Sequence, residues 1–271
     1  MSNIHPFFIP HNPLMISKIG LEHSEKLSSS IKALKDLKNK IYEIDPDKIF
    51  IITPPFQDFD NITINQSEKY LVNFKSFGDL SLEFEAPGDL DYSTRLRDFL
   101  RSNNFGINLF FEEIVNHKSF VPFYYLNKYH TSSKGFENEL VHDLDIKNEF
   151  IVINSSQADL DYHWKFGELF SEFLMPLSKR EEIVIIACGD LLGPVKKKED
   201  EYLQIANKLI DLLKNGQYQD IIKEEELKKG SYPGIKPLMT IAPLISKLGL
   251  SPNILSLDKE FGEVYLTVEF K

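Results

Sequence analysis

The sequence predicts an α/β layer fold, and three observations carry that prediction. Short β-branched runs alternate with longer amphipathic stretches along most of the chain. The runs KIFIIT, EFIVIN and EIVIIAC are apolar on successive residues, as central strands covered on both faces must be. Hydrophobic residues make up 42% of the 271 positions, which is enough to fill a large core. No internal repeat, low-complexity tract or Pro/Gly/Ser-rich linker interrupts the pattern, so one domain over residues 1–271 is expected.

Strands are expected at Ile4 to Ile9, Lys48 to Thr53, Leu80 to Glu85, Ile107 to Phe111, Glu149 to Asn154, Ile183 to Cys188 and Glu263 to Phe270. Between the first two, Leu21 to Tyr42 carries leucine and isoleucine at helical spacing, and Asp45-Pro46-Asp47 breaks the helix before the next strand. Asp91 to Arg101, Asp159 to Phe173, Glu199 to Leu213 and Lys236 to Leu248 read as helices too, the last with Gly249 at its C-cap position. The charged segment Lys223 to Lys229 reads as a surface excursion.

Thirty-one Lys and Arg against forty-one Asp and Glu leave a formal net charge of −10. Such a field repels phosphate backbones and anionic head groups, so neither nucleic acid nor a membrane surface is an expected partner. The basic run Lys196 to Lys198 is followed at once by Glu199, Asp200 and Glu201 and reads as a solvated helix start. A single cysteine, Cys188, excludes an intramolecular disulfide framework and multi-cysteine metal sites. MSNIHPFFIPHNP has no basic n-region and no apolar h-region, so a cytoplasmic protein is expected.

No G-x-S-x-G elbow, P-loop or G-x-G-x-x-G fingerprint occurs. That turns attention to the seven histidines. His5 falls in a strand and His23 on an exposed helix start, while His130 and His142 fall in polar loops. His163, in DLDYHW, has Asp159 and Asp161 nearby, a spacing that fits a metal site or an acidic helix N-terminus. His11, in IPHNPLM, follows an apolar strand, where open α/β sheets place ligand crevices. His117, in VNHKSFVPFYYL, precedes an aromatic-rich segment able to wall a pocket for a flat ligand. Cys188, after IVIIA, reads as a buried strand-end thiol.

Several of these segments together resemble the class III extradiol ring-cleavage dioxygenases, the LigB-like superfamily that also includes Memo-type proteins. They are IPHNPLMISKIG, DPDKIFIITPPFQDF, FEAPGDLDYSTRLRDFL, VNHKSFVPFYYL, IVIIACGDL, GIKPLM and EFGEVYLTVEF. The resemblance implies a central mixed sheet flanked by helices. It further implies a non-haem Fe(II) site of two histidines and a glutamate, with three open positions for a catechol-type substrate and dioxygen, and a further histidine as acid/base partner.

Residue by residue, His11 matches the first metal ligand and His117 the pocket histidine. Pro55 stands in place of the second histidine, Tyr232 in place of the glutamate, and Gly193 in place of the catalytic histidine after CGDL. Asn116 and Lys118 replace the aspartate and glycine that flank the pocket histidine. Tyr232 as a phenolate, or Asp58, Asp190 or Glu226 as a carboxylate, are the available substitute donors. The resemblance therefore implies a divergent member with a degenerate iron site, its pocket lined by His11, Pro55, Phe56, His117, Asp190, Gly193 and Tyr232. No cofactor is expected in that case, and the partner is a small aromatic ligand or a protein; a homodimer fits the superfamily. The alternatives are an active Fe(II) dioxygenase with His11 as ligand and His117 as catalytic residue, and a Memo-like interaction scaffold.

Overall fold

Alternating burial along the central strands decides the architecture. In the computed structural model, which describes residues 3–79, 82–126, 149–193, 199–224 and 232–271, even and odd positions of the strands face two separate apolar layers.

The strands are β1 (Ile4–Ile9), β2 (Lys48–Thr53), β3 (Thr63–Asn65), β4 (Lys69–Asn73), β5 (Glu83–Pro87), β6 (Asn108–Phe110), β7 (Glu149–Asn154), β8 (Ile183–Cys188), β9 (Pro252–Glu260) and β10 (Glu263–Phe270). The helices are α1 (Ser17–Gly20), α2 (Ser28–Ile44), α3 (Leu90–Ser102), α4 (Phe120–Leu126), α5 (Leu160–Leu177), α6 (Glu199–Lys214), α7 (Tyr218–Lys223) and α8 (Ile235–Leu248). Among the described residues eight strands pair in the order β6-β3-β7-β2-β8-β1-β10-β9, and β4 and β5 form a separate hairpin. The four central strands β7, β2, β8 and β1 are mutually parallel. β3 and β10 join them antiparallel, so the sheet is mixed, as expected.

One layer joins Phe8, Phe50, Ile52, Ile151, Ile153 and Ile185 to α3, α5, α6, α7 and α8; the other joins Phe7, Ile9, Ile49, Ile51, Val152 and Ile186 to α2, α4 and the β4–β5 hairpin. The helices end as the sequence requires. Asp45 adopts a left-handed conformation (φ 49°) before Pro46 at the end of α2, and Gly249 does so (φ 65°) at the end of α8. Asp89 and Asp159 cap α3 and α5 by accepting the Tyr92 and Tyr162 N–H groups, each at 2.8 Å.

Some elements depart from the sequence reading. The helix expected from Leu21 begins only at Ser28, because Leu21–Glu25 forms a separate 3₁₀ turn entered with Leu21 at φ 46°. The strand expected from Leu80 to Glu85 runs Glu83–Pro87, and Leu80 lies outside the described residues. β3, β4, β9, α4 and α7 were not read as elements from composition. β9 hides behind charge and two exposed leucines, Leu255 and Leu257, because it lies at the sheet edge. His130, His142, Glu226 and Lys196–Lys198, with most of the Lys223 to Lys229 excursion, lie outside the described residues.

α5 and α8 pack closely because Gly167 presents no side chain to α8. A Cβ there would lie 2.3 Å from the Thr240 carbonyl oxygen and 2.9 Å from the Pro243 ring. Gly167→Ala is therefore expected to lower stability by roughly 1–3 kcal/mol, the cost of overpacking a tight contact. A reduced urea midpoint with an unchanged slope checks this.

Candidate functional site

Register aligns the carboxyl ends of the four parallel strands. Ile9 pairs with Cys188, Ile52 with Ala187, and Thr53 with Asn154, so β1, β8, β2 and β7 end at one level. β8 lies between β1 and β2, which are consecutive in sequence among the central strands. The loops after β1 and β2 thus part around the loop after β8, the arrangement that opens a crevice in doubly wound sheets.

Above β1 and β8, His11 and Asp190 lock the two loops together. The His11 backbone N–H donates to Asp190 Oδ1 at 3.1 Å. Asp190 N–H lies 3.0 Å from His11 Nδ1, and Asp190 Oδ2 lies 3.1 Å from the same nitrogen. Nδ1 accepts from the backbone in one tautomer and donates to the carboxylate in the other, so it is committed to Asp190 in either. Asp190 is only 2% exposed.

A glycine pair docks α8 onto this loop. A Cβ on Gly189 would lie 2.3 Å from Gly234 Cα, and Gly234 N–H donates to the Asp190 carbonyl at 2.9 Å. The Tyr232 turn is thereby tied to the Asp190 loop, while the Tyr232 side chain itself sits in the apolar layer with α8, 7% exposed. Gly193 is buried one residue past Leu192, which bridges to Val264 of β10.

Over β8 and β2 runs Lys118. Its carbonyl accepts the Cys188 thiol at 3.3 Å, and its ammonium donates to the Pro55 carbonyl. Asn116 caps the turn His117–Ser119 by accepting the Lys118 N–H at 2.8 Å and donates to Asn154 Oδ1 at 3.4 Å, an oxygen that also accepts from Thr53 Oγ1 at 2.7 Å. His117 is exposed and meets the edge of Phe77 at 6.3 Å between ring centroids. Its pKa is lowered by burial of part of the ring, then by the charges of Lys118 and His11. Phe56 is 37% exposed, and Asp58 is exposed as well. Burial pushes the Cys188 thiol well above its usual range, as expected of a strand-end thiol rather than a nucleophile.

Sequence reasoning missed three groups. Glu263, at the start of β10, accepts from Asn12 at 2.8 Å and from Tyr265 at 2.5 Å; burial, with the nearby Asp190 charge, raises its pKa. Lys236 donates to the Ser156 carbonyl at 2.8 Å, and burial lowers its pKa to about 8. A lysine in the first turn of an otherwise apolar helix opposes the helix dipole, and that was the available signal. Lys118 was noted only as a replacement for glycine.

His163 lies in the first turn of α5, the acidic helix N-terminus that the spacing of Asp159 and Asp161 fits. It is fully buried, accepts the Ser156 N–H on Nε2 at 3.2 Å and donates from Nδ1 to the Asp159 carbonyl at 2.7 Å. Both ring nitrogens are satisfied by the neutral form. At the opposite end of the sheet His5 meets Glu182 at 2.8 Å; His23 packs edge-on against Phe261, in the turn between β9 and β10.

Among the described residues no three His, Cys, Asp or Glu side chains stand where they could hold a metal ion. Pro55 offers only a carbonyl, which already accepts the Lys118 ammonium. Two surface grooves of about 460 and 320 Å³, both bordered by Trp164 and Ser246, contain none of the residues above.

The family described as the catalytic LigB subunit of aromatic ring-opening dioxygenase matches residues 5–246, a span that includes His11, Pro55, His117, Asp190, Gly193 and Tyr232. This chain belongs to the LigB family. A curated relative, Protein CA_C1420 of Clostridium acetobutylicum, is 22% identical over 284 residues, covering 96% of this chain and 55% of that protein. The LigB chain described here therefore spans about half the length of that relative. The crystal structure of the uncharacterized protein JW3007 from Escherichia coli K12 superposes with a TM-score of 0.60 at 13% identity, covering 98% of this chain and 99% of that one. That likeness establishes a shared fold. No helix among the described residues is long and apolar enough to cross a membrane.

Burial depresses the His163 pKa from 6.5 to about 4, so the unfolded chain takes up a proton before the folded one does. Its contribution to stability is complete above pH 6.5 and is lost as pH falls toward 4, by up to about 3 kcal/mol. Urea melts across this range should show a steeper loss for the native chain than for His163→Gln. Equal slopes would remove His163 from the account.

Proposed function

We propose that this LigB-family chain keeps the family's pocket but not its iron centre, and serves as a small-ligand-binding protein rather than a ring-cleaving enzyme. One observation carries the reading. An ammonium, that of Lys118, donates to the backbone carbonyl of Pro55, the residue in place of the second metal-binding histidine. Partial burial lowers the Lys118 pKa, and while protonated its ammonium opposes a divalent cation at that position. At about 4 Å and an effective dielectric near 20, a unit charge and a dication repel by roughly 8 kcal/mol.

The other positions support the same reading. Tyr232 packs into the apolar layer, and Gly193 supplies no imidazole for proton transfer. His11 keeps Nδ1 on Asp190, which fixes the ring at the mouth of the crevice. Phe77 and His117 meet edge to face, and Phe56 borders a narrow cleft of about 10 Å³ with Asn116 and Asn154, so their exposed outer faces are the surfaces open to stacking. The family's usual chemistry, oxygen activation on Fe(II), is assigned no step here because the residues present do not make its donor set.

Protein purified anaerobically and reconstituted with Fe(II) is expected to retain no more iron than His11→Ala treated in the same way, and to leave catechol unconsumed. Stoichiometric iron that disappears in His11→Ala, with ferrous-dependent catechol consumption abolished by chelator, would overturn the proposal in favour of an active dioxygenase.

A further inference from the structure

The chain has one tryptophan, and it stands where two concavities meet. Trp164, in the second turn of α5, borders both surface grooves: the larger, of about 460 Å³, with Glu168, Glu172 and Pro243, and the smaller, of about 320 Å³, with Gly216 and Tyr218. Its indole Nε1 donates to Glu168 Oε1 at 3.1 Å, one turn along the helix, which fixes the edge of the ring. Part of the indole packs against the apolar layer of α8, and among the described residues no other ring and no cation stacks on the remainder.

The groups around it are acceptors with capacity to spare. Glu168 and Glu172 follow Trp164 at intervals of four residues, so all three lie on one face of α5. Both carboxylates are exposed, and among the described residues no lysine, arginine or histidine nitrogen lies within 4.0 Å of either. Pro176 has no N–H, so the Glu172 carbonyl lacks its α-helical donor as well. On the smaller groove Tyr218 is 3% exposed, and its hydroxyl has no hydrogen-bond partner. Gly216, at φ 66°, leaves that ring uncovered: a Cβ there would lie 4.0 Å from Cε2, the carbon beside the one that carries the hydroxyl. Asp220 is already engaged by Lys223 at 2.9 Å. Against these acids Lys247 is the one cation that borders either groove among the described residues.

An aromatic surface beside unspent acceptors is complementary to a group that is planar, positively charged and built only of donors. Guanidinium is that group: it carries its N–H donors in one plane, has no acceptor, and stacks on tryptophan. An ammonium is a compact, strongly hydrated point charge and makes less use of the ring. We propose that the Trp164 groove is a docking site for an arginine side chain carried on a segment of another protein, with the guanidinium against the indole and its N–H groups on Glu168 and Glu172. A single side chain fills neither groove, and the segment continues across Trp164 into the smaller one, toward the Tyr218 hydroxyl. The formal net charge of −10 draws a basic segment to this surface. The site shares no lining residue with the crevice, so its loss leaves the small-ligand reading standing.

With a single tryptophan in the chain, its emission reads this groove directly. The test titrates the whole protein with a blocked alanine-arginine-alanine peptide, with its lysine and citrulline counterparts, and with methylguanidinium. The arginine peptide is expected to change the emission and to bind about fivefold more tightly than the lysine peptide and about tenfold more tightly than the neutral citrulline peptide, with affinity that falls as salt rises. By calorimetry, Trp164→Leu should weaken the arginine peptide about fivefold and Glu172→Gln about threefold. Glu172 is exposed, so a native melting temperature for Glu172→Gln separates lost binding from lost fold. Absence of binding, equal affinity for the three peptides, or binding indifferent to both substitutions would overturn the site. Methylguanidinium bound as tightly as the peptide would overturn the partner segment and make the ligand a small guanidine.

Discussion

Parallel pairing of β8 between β1 and β2 is the constraint on which the rest of this molecule depends. All six residues of β8 are buried, and both of its edges are hydrogen-bonded, so the strand has no freedom to slip. That placement brings residues from positions 9, 53 and 188 of the chain to one level. It then requires the following loop to rise between two others, where Asp190 meets His11 and Gly189 accepts the backbone of Gly234. A side chain at either glycine would push α8 off the sheet. The crevice is therefore a product of strand order first and of side-chain chemistry second.

The side-chain chemistry departs from what the strand order was built to hold. Where the family resemblance implies a second metal-binding histidine, the crevice contains Pro55, whose carbonyl accepts from Lys118. One substitution removes a donor; the other introduces a charge of the wrong sign for a cation. On the function proposed above, this exchanges coordination of a metal for contacts to an organic ligand. The hydrogen-bonded frame of Asn116, Asn154 and Thr53 is satisfied without any added group, so the exchange leaves the scaffold intact.

Much of this was legible in the sequence, and the reason is burial. β1, β2, β7, β8 and β10 begin and end where the apolar runs do, because strands covered on both faces tolerate few polar residues. β4 and β9 were illegible for the converse reason: one face of each meets water, and their polar residues break up the apolar run. His11 and Asp190 stood out by their position after strands. Lys118 and Lys236 did not, since a lysine becomes unusual only when no carboxylate lies near it, and that is a property of tertiary structure. His163 was legible as part of an acidic helix start, but the buried slot its ring fills between two backbone groups is set by tertiary packing.

The solitary thiol gives this pocket floor a clock. Cys188 is fully buried at the end of β8, its proton is held at high affinity, and its sulfur is covered by the Lys118 backbone. An alkylating reagent reaches it only when the structure that covers the end of β8, the Asn116 to Ser119 turn included, opens. Because the chain has no second cysteine, the rate of its modification reports openings at this end of β8 and nowhere else.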